Sequence, residues 1–266
     1  MLLLVRRYAW GPEGVLIAIW AFALAGFLDT LYLGQIYLPL LLAAVGAWLL
    51  LEKGEEVWAG VLIGILVAIK PNFLVWPVLL FLAGHRRPSL VCVATAAVIS
   101  AIPLVFFGPG IYGQWLSLVA SDSARAVFLT NASLSGLAAR IGVQSLGLLL
   151  SLALLAGLAL WAFLRRPGAM RVSELGLLAA ILASPLGWIH YTLFLLPVLL
   201  ARWSFWPMWI VAALLVVPVP FIIGQFGQLA WIQFTIGSAY GWALVLCLAA
   251  LLSLRSDGSP GSRVAT

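Results

Sequence analysis

Apolar and polar positions in this chain alternate in long blocks. Apolar runs cover about residues 14–28, 36–51, 59–84, 89–107, 143–164, 173–183, 191–203, 205–223 and 236–254, with short polar or basic stretches between them. Most approach the ~20 residues of a membrane-spanning helix. The run 59–84 is broken only by Lys70-Pro71-Asn72 at its centre. From Ala59 to Lys70 a helix rises about 18 Å, short of a hydrocarbon core of about 30 Å. Pro71 also disfavours α-helical backbone at Lys70. The pattern therefore predicts a helical hairpin with Lys70 at its tip. With both arms counted, the fold expected is an all-α, polytopic membrane helix bundle of about ten transmembrane or half-spanning helices. Residues 1–254 form a single membrane domain, and residues 255–266, rich in Ser and Gly, a disordered cytoplasmic tail. No internal repeat is visible, so a transporter built from inverted halves gains no support.

Composition sharpens this picture. Of 266 residues, 65% are hydrophobic and 8% charged, which leaves no room for a soluble domain. The net charge of +6 is spread singly and in pairs between apolar runs, which argues for membrane loops and against nucleic acid. The two cysteines, Cys92 and Cys247, lie in apolar runs and suggest neither a disulfide framework nor a metal site. The chain opens Met1-Leu2-Leu3-Leu4-Val5 before Arg6-Arg7, the reverse of a signal peptide. This order reads as the last turn of a transmembrane helix, with an upstream part absent. Placing Arg6 and Arg7 in the cytoplasm and alternating sides puts eleven of the fourteen basic residues inside and leaves Lys70, Arg125 and Arg140 outside. The same assignment gathers Asp29, Gln35, Lys70, the 108–142 segment and His190 on the outer face.

Each of these residues has two readings. Lys70 either points into a water-filled cavity to bind an anion or snorkels to the interface; a lysine at mid-bilayer costs about 2.5–3.5 kcal/mol, so it needs a reason. Gln35, after Gly34 at the mouth of a helix, either donates to a phosphate or sugar oxygen or bonds nearby backbone. His190, between aromatic residues, suits a proton donor or phosphate partner, or an interfacial structural histidine. Asp29 could be a base or metal ligand, but reads better as a solvated residue closing a helix. Glu55 and Glu56 read as solvated cytoplasmic carboxylates. In the 108–142 segment, Trp115, Leu118, Val119, Val127 and Phe128 among polar residues suit a helix in the headgroup plane. Trp115, Asn131 and Trp188 are the expected platform for a lipid-linked substrate. Asn131-Ala132-Ser133 also fits a glycosylation sequon, a match too short to carry weight.

Gly34-Gln35 opening a helix, AGVLIGILVAIKP at 59–71, NASLSG at 131–136 and SPLGWIHY at 184–191 occur in an order and spacing that resembles glycosyltransferase family 87. The resemblance covers about residues 14–203. It implies a GT-C fold in the cell membrane and a hexosyltransferase with an extracytoplasmic active face. The implied reaction moves a hexose, mannose first among candidates, from a polyprenyl-phosphate donor to an extracytoplasmic acceptor. By position, Gln35, Lys70 and His190 match polar cavity residues that bind the donor phosphate, with His190 the one catalytic candidate. Membrane lipids are the other partners; no cofactor and no metal are implied. GT-C enzymes carry a catalytic aspartate in a loop after their first helix. Asp29 is not in the matching place, so the expectation is the C-terminal portion of such an enzyme: a truncated gene product, a mis-started reading frame, or one half of a split protein with a separate N-terminal half. The rival readings are a lipid-carrier flippase or anion transporter, which needs no base, and a non-catalytic membrane subunit.

Overall fold

The computed structural model describes residues 1–9 and 11–254; the expected tail at 255–266 lies outside them. Among the described residues the chain is helical, with one isolated antiparallel bridge, between Asn131 and Trp188. Three helices are long and apolar enough to cross a membrane: Arg86–Phe107, Gln144–Arg165 and Ala230–Ser253. Two bent pairs raise the candidate spans to five, and four shorter apolar helices accompany them. The all-α bundle is as expected, but among the described residues three to five segments, not about ten, are long and apolar enough to cross.

Proline and local bonding explain the bends. The run at 205–223 divides into Pro207–Leu214 and Val219–Phe226, inclined by 78°. Pro218 and Pro220 each remove a backbone donor, which ends one helix and starts the next. The run at 14–28 divides into Gly11–Ala23 and Ala25–Tyr32, inclined by 49°. The amide of Ala25 freed at this break donates to the carbonyl of Leu215 at 2.9 Å. A neighbouring segment thus satisfies a group that lipid could not.

The Lys70 region is built as a return. The Glu56–Ile69 helix, about 21 Å long at 1.5 Å per residue, packs closely on Arg86–Phe107. Gly60 faces Pro88 and Val91, while Gly64 faces Cys92 and Thr95. Advancing four residues on one helix advances four on the other, so the two run in the same direction. The chain therefore comes back between them, through a 3-10 turn at Pro71–Leu74 and the Val75–Leu82 helix. A β-carbon on Gly60 would lie 2.5 Å from the Pro88 carbonyl oxygen, and one on Gly64 2.6 Å from the β-carbon of Thr95. Two glycines four apart let the backbones approach, as small residues do at interfaces inside lipid. Facing outward, the Arg86–Phe107 helix exposes Val93, Val98, Val105 and Phe106, an apolar surface suited to acyl chains.

A buried ion triad ties other helices together. Glu174, with no exposed surface, accepts from Arg171 Nη1 at 2.7 Å and from Arg202 Nε at 2.6 Å. Arg171 also donates to the carbonyl of Leu251. The Ala169–Leu182 helix is thereby fastened to the end of Leu196–Ala201 and to Ala239–Ser253.

Candidate functional site

The site forms where three chain breaks meet. The helix Ala25–Tyr32 lies against the 3-10 segment Ile189–Leu195. Gly26 permits this, because a β-carbon there would sit 2.7 Å from the Ile189 carbonyl oxygen and 3.2 Å from the α-carbon of His190. Asp29, one turn further on, then reaches His190, with Oδ2 2.9 Å from Nδ1. Both side chains are largely enclosed, 12% and 6% exposed. At this depth a charge is far less screened than on a surface. The other ring nitrogen, Nε2, is buried without a hydrogen-bond partner.

Tyr37 joins His190 to Lys70. It opens the Tyr37–Glu52 helix and is buried. The His190 ring stacks on it, with centroids 4.3 Å apart and planes 24° apart. The Lys70 ammonium lies 4.7 Å from the centroid of Tyr37 and 5.5 Å from that of Tyr191. Lys70 is half-buried at the end of the Glu56–Ile69 helix, with φ −131° and ψ 85°, and no carboxylate among the described residues pairs with it. The two ring faces solvate the cation in part, and its positive charge is left without a counter-ion. A cation held this way, across the Tyr37 ring from a histidine with an unpartnered nitrogen, suits an anion.

Beside Lys70 an apolar cavity of about 620 Å³ opens between Pro71 and Asn72 on one side and Leu152, Ala156, Ala180 and Pro185 on others. Asn72 fixes one wall, donating to the carbonyl of Ala180 at 3.0 Å. The cavity abuts the two segments that carry Lys70 and His190.

The remaining residues singled out in the sequence fall elsewhere. Gln35 is exposed two positions before Tyr37 and makes no hydrogen bond through its side chain to Lys70 or His190. Trp115 is exposed on the Gly110–Ser121 helix, which includes Leu116, Leu118 and Val119, also exposed. Trp188 is half-buried, with its ring 6.2 Å from that of Phe128. Asn131 has no exposed surface and presents nothing to a lipid or to a glycosylating enzyme. Its amide donates to the carbonyls of Ala126 and Pro185, and its oxygen accepts from Ser133 and from the Gly187 amide. Backbone bonds from Ile189 to Thr130 and from Ala132 to Gly187 flank it. Asn131 is therefore a clasp that holds the loop leading to His190. Arg140 supports it from below, donating to the carbonyls of Phe128 and Asn131 and to Ser238 Oγ. Burial pulls Arg140 down to about 10, so it stays charged at neutral pH.

Two members of the site escaped the sequence reading. Asp29, expected to be a solvated helix end, is instead the partner of His190. Tyr37 carried no signal beyond its place two residues after Gln35. A helical Gly at i with Asp at i+3 does hint at one close-packed face, but it does not name the partner.

The model of glycosyltransferase family 87 matches residues 1–185, more than half of the chain. The matched stretch contains Asp29, Tyr37 and Lys70 and ends five residues before His190. No curated protein and no solved structure matches the chain.

Proposed function

The chain belongs to glycosyltransferase family 87, and from that premise we propose that it takes part in moving a hexose from a polyprenyl-phosphate donor to an acceptor at the extracytoplasmic face of the cell membrane. The observation that carries this reading is the meeting of Lys70 and His190 on the ring of Tyr37. In hexosyl transfer the acceptor hydroxyl gives up its proton to a base, its oxygen bonds to the anomeric carbon, and the bond from that carbon to the phosphate oxygen breaks. The phosphate leaves with the electron pair. Negative charge grows on it as the bond lengthens, and preorganised cationic donors stabilise that growth most. Lys70 offers an ammonium and His190 an imidazole nitrogen, each for a charge-assisted hydrogen bond. Gln35, exposed at the mouth of the same helix as Tyr37, is assigned to the sugar-phosphate as it enters.

The apolar cavity beside Pro71 fits the lipid part of such a donor. Its wall is made of Leu, Val, Ala and Pro side chains with few polar groups, as an isoprenoid chain requires. Trp115 and Trp188 suit the headgroup level, where amphipathic rings gather. Mannose is the first sugar to try.

The reading is tested on the protein in lipid nanodiscs with a radiolabelled mannosyl polyprenyl phosphate. Label leaving the lipid faster than in protein-free discs, and slower with Lys70→Met, supports it. Lipid that changes leaflet while keeping its sugar supports the rival flippase and contradicts it.

A further inference from the structure

We propose that Asp29 is a positioning residue: it fixes which way the His190 ring is turned and where its proton sits, so that Nε2 is the atom presented to the substrate.

Three observations converge on it. The carboxylate meets Nδ1 at 2.9 Å, which in the neutral ring requires the proton on Nδ1. The Tyr37 ring, 4.3 Å away, sets the plane of the imidazole. The Nε2 atom, buried and without a partner, is the orphan of the arrangement. A buried polar atom left open costs about 1–3 kcal/mol, so such atoms mark a place where something else binds. The ionisable side chains around the ring are Asp29, Tyr37, Tyr191 and, across Tyr37, Lys70. Tyr240, from the Ala239–Ser253 helix, faces Asp29 electrostatically. Of these only Asp29 is anionic, and it is the one group able to balance an imidazolium.

The proposal rests on the phosphate reading for the identity of the substrate. When a phosphate oxygen arrives, Nε2 takes up a proton from solvent and donates it in a hydrogen bond, while Asp29 neutralises the ring's positive charge. Without Asp29 the neutral ring is free to carry its single proton on Nε2 and to rotate within its pocket. Histidine geometry is commonly set in this way, by the bond that the other nitrogen makes.

The experiment is nitrogen-15 NMR of labelled histidine, with the full chain in bilayers. The chain has two histidines, so a His85→Gln background leaves His190 alone. The neutral wild-type ring is expected to carry its proton on Nδ1, with Nε2 bare, and polyprenyl phosphate is expected to protonate Nε2. In Asp29→Leu the proton is expected on Nε2, and Asp29→Glu is expected to restore the wild-type pattern. A bare Nδ1 in the wild-type protein overturns the proposal whatever the variants do. An unchanged tautomer in Asp29→Leu overturns it equally. A ring that follows Asp29 but ignores polyprenyl phosphate supports the positioning role and overturns the phosphate reading instead.

Discussion

Gly26 lies so close to Ile189 that a β-carbon on it would come within 2.7 Å of the Ile189 carbonyl oxygen. This approach sets the distance between Asp29 and His190, which are 161 residues apart in the chain. Gly26→Val adds two methyl groups and a branch at a backbone contact that cannot give way. The helix is expected to shift off its neighbour, at a cost of about 1–3 kcal/mol, and to take Asp29 with it. Donor turnover is expected to fall in Gly26→Val and in Asp29→Leu alike, while membrane insertion is unchanged. Full turnover in Gly26→Val would show that the Asp29–His190 contact is dispensable.

Tyr37 contributes its ring faces, and its hydroxyl makes no hydrogen bond to Lys70 or His190. Tyr37→Phe keeps both faces and is expected to retain most of the donor affinity. Tyr37→Leu removes the cation–π contact and the stacking surface together. Contacts of this kind contribute about 0.5–2 kcal/mol, so affinity should weaken by about 2- to 30-fold. Binding isotherms for the three proteins in nanodiscs check this ordering.

Glu174 tests the fold apart from the chemistry. Removing its charge leaves two arginines facing each other without a partner, and breaking a buried pair costs about 3–5 kcal/mol. Glu174→Leu is expected to lower thermal stability in detergent sharply. Glu174→Asp, which keeps the charge, should lower it less. Neither change touches Lys70 or His190, so any protein that remains folded should keep its donor affinity.

Much of the architecture could be read from residue pattern because lipid permits so few solutions. Lys70-Pro71 announced a break inside an apolar run, and the structure has the break there. Other features depend on contacts that no local pattern encodes. Pro218 and Pro220 were in plain view, yet the 78° bend depends on how the two short helices pack. Asn131 reads from the sequence as part of a substrate platform; only its bonds to Ala126, Ser133, Pro185 and Gly187 allow its burial. Asp29 was misjudged for the same reason. A carboxylate after an apolar run is usually solvated, and only the remote His190 makes it otherwise. Gly60 and Gly64 show the opposite case, a spacing of four that was legible as a helix contact and was passed over for the lysine that follows.

The central claim is that Lys70 and His190 serve one phosphate. It is tested most directly by equilibrium binding of polyprenyl phosphate, without sugar or acceptor, to the wild-type protein, Lys70→Met, His190→Ala and the double variant. Methionine keeps about the length of the lysine's aliphatic stem and removes the ammonium, with its charge and its donors. Each single change is expected to weaken binding by about 10- to 100-fold, the range of one hydrogen bond to a charged group. Because both residues hold the same anion, the double variant should lose less than the product of the two single losses. Losses that multiply would place the two residues at independent sites, and unaltered binding in Lys70→Met would make the lysine a bystander at the membrane interface; either result contradicts the account.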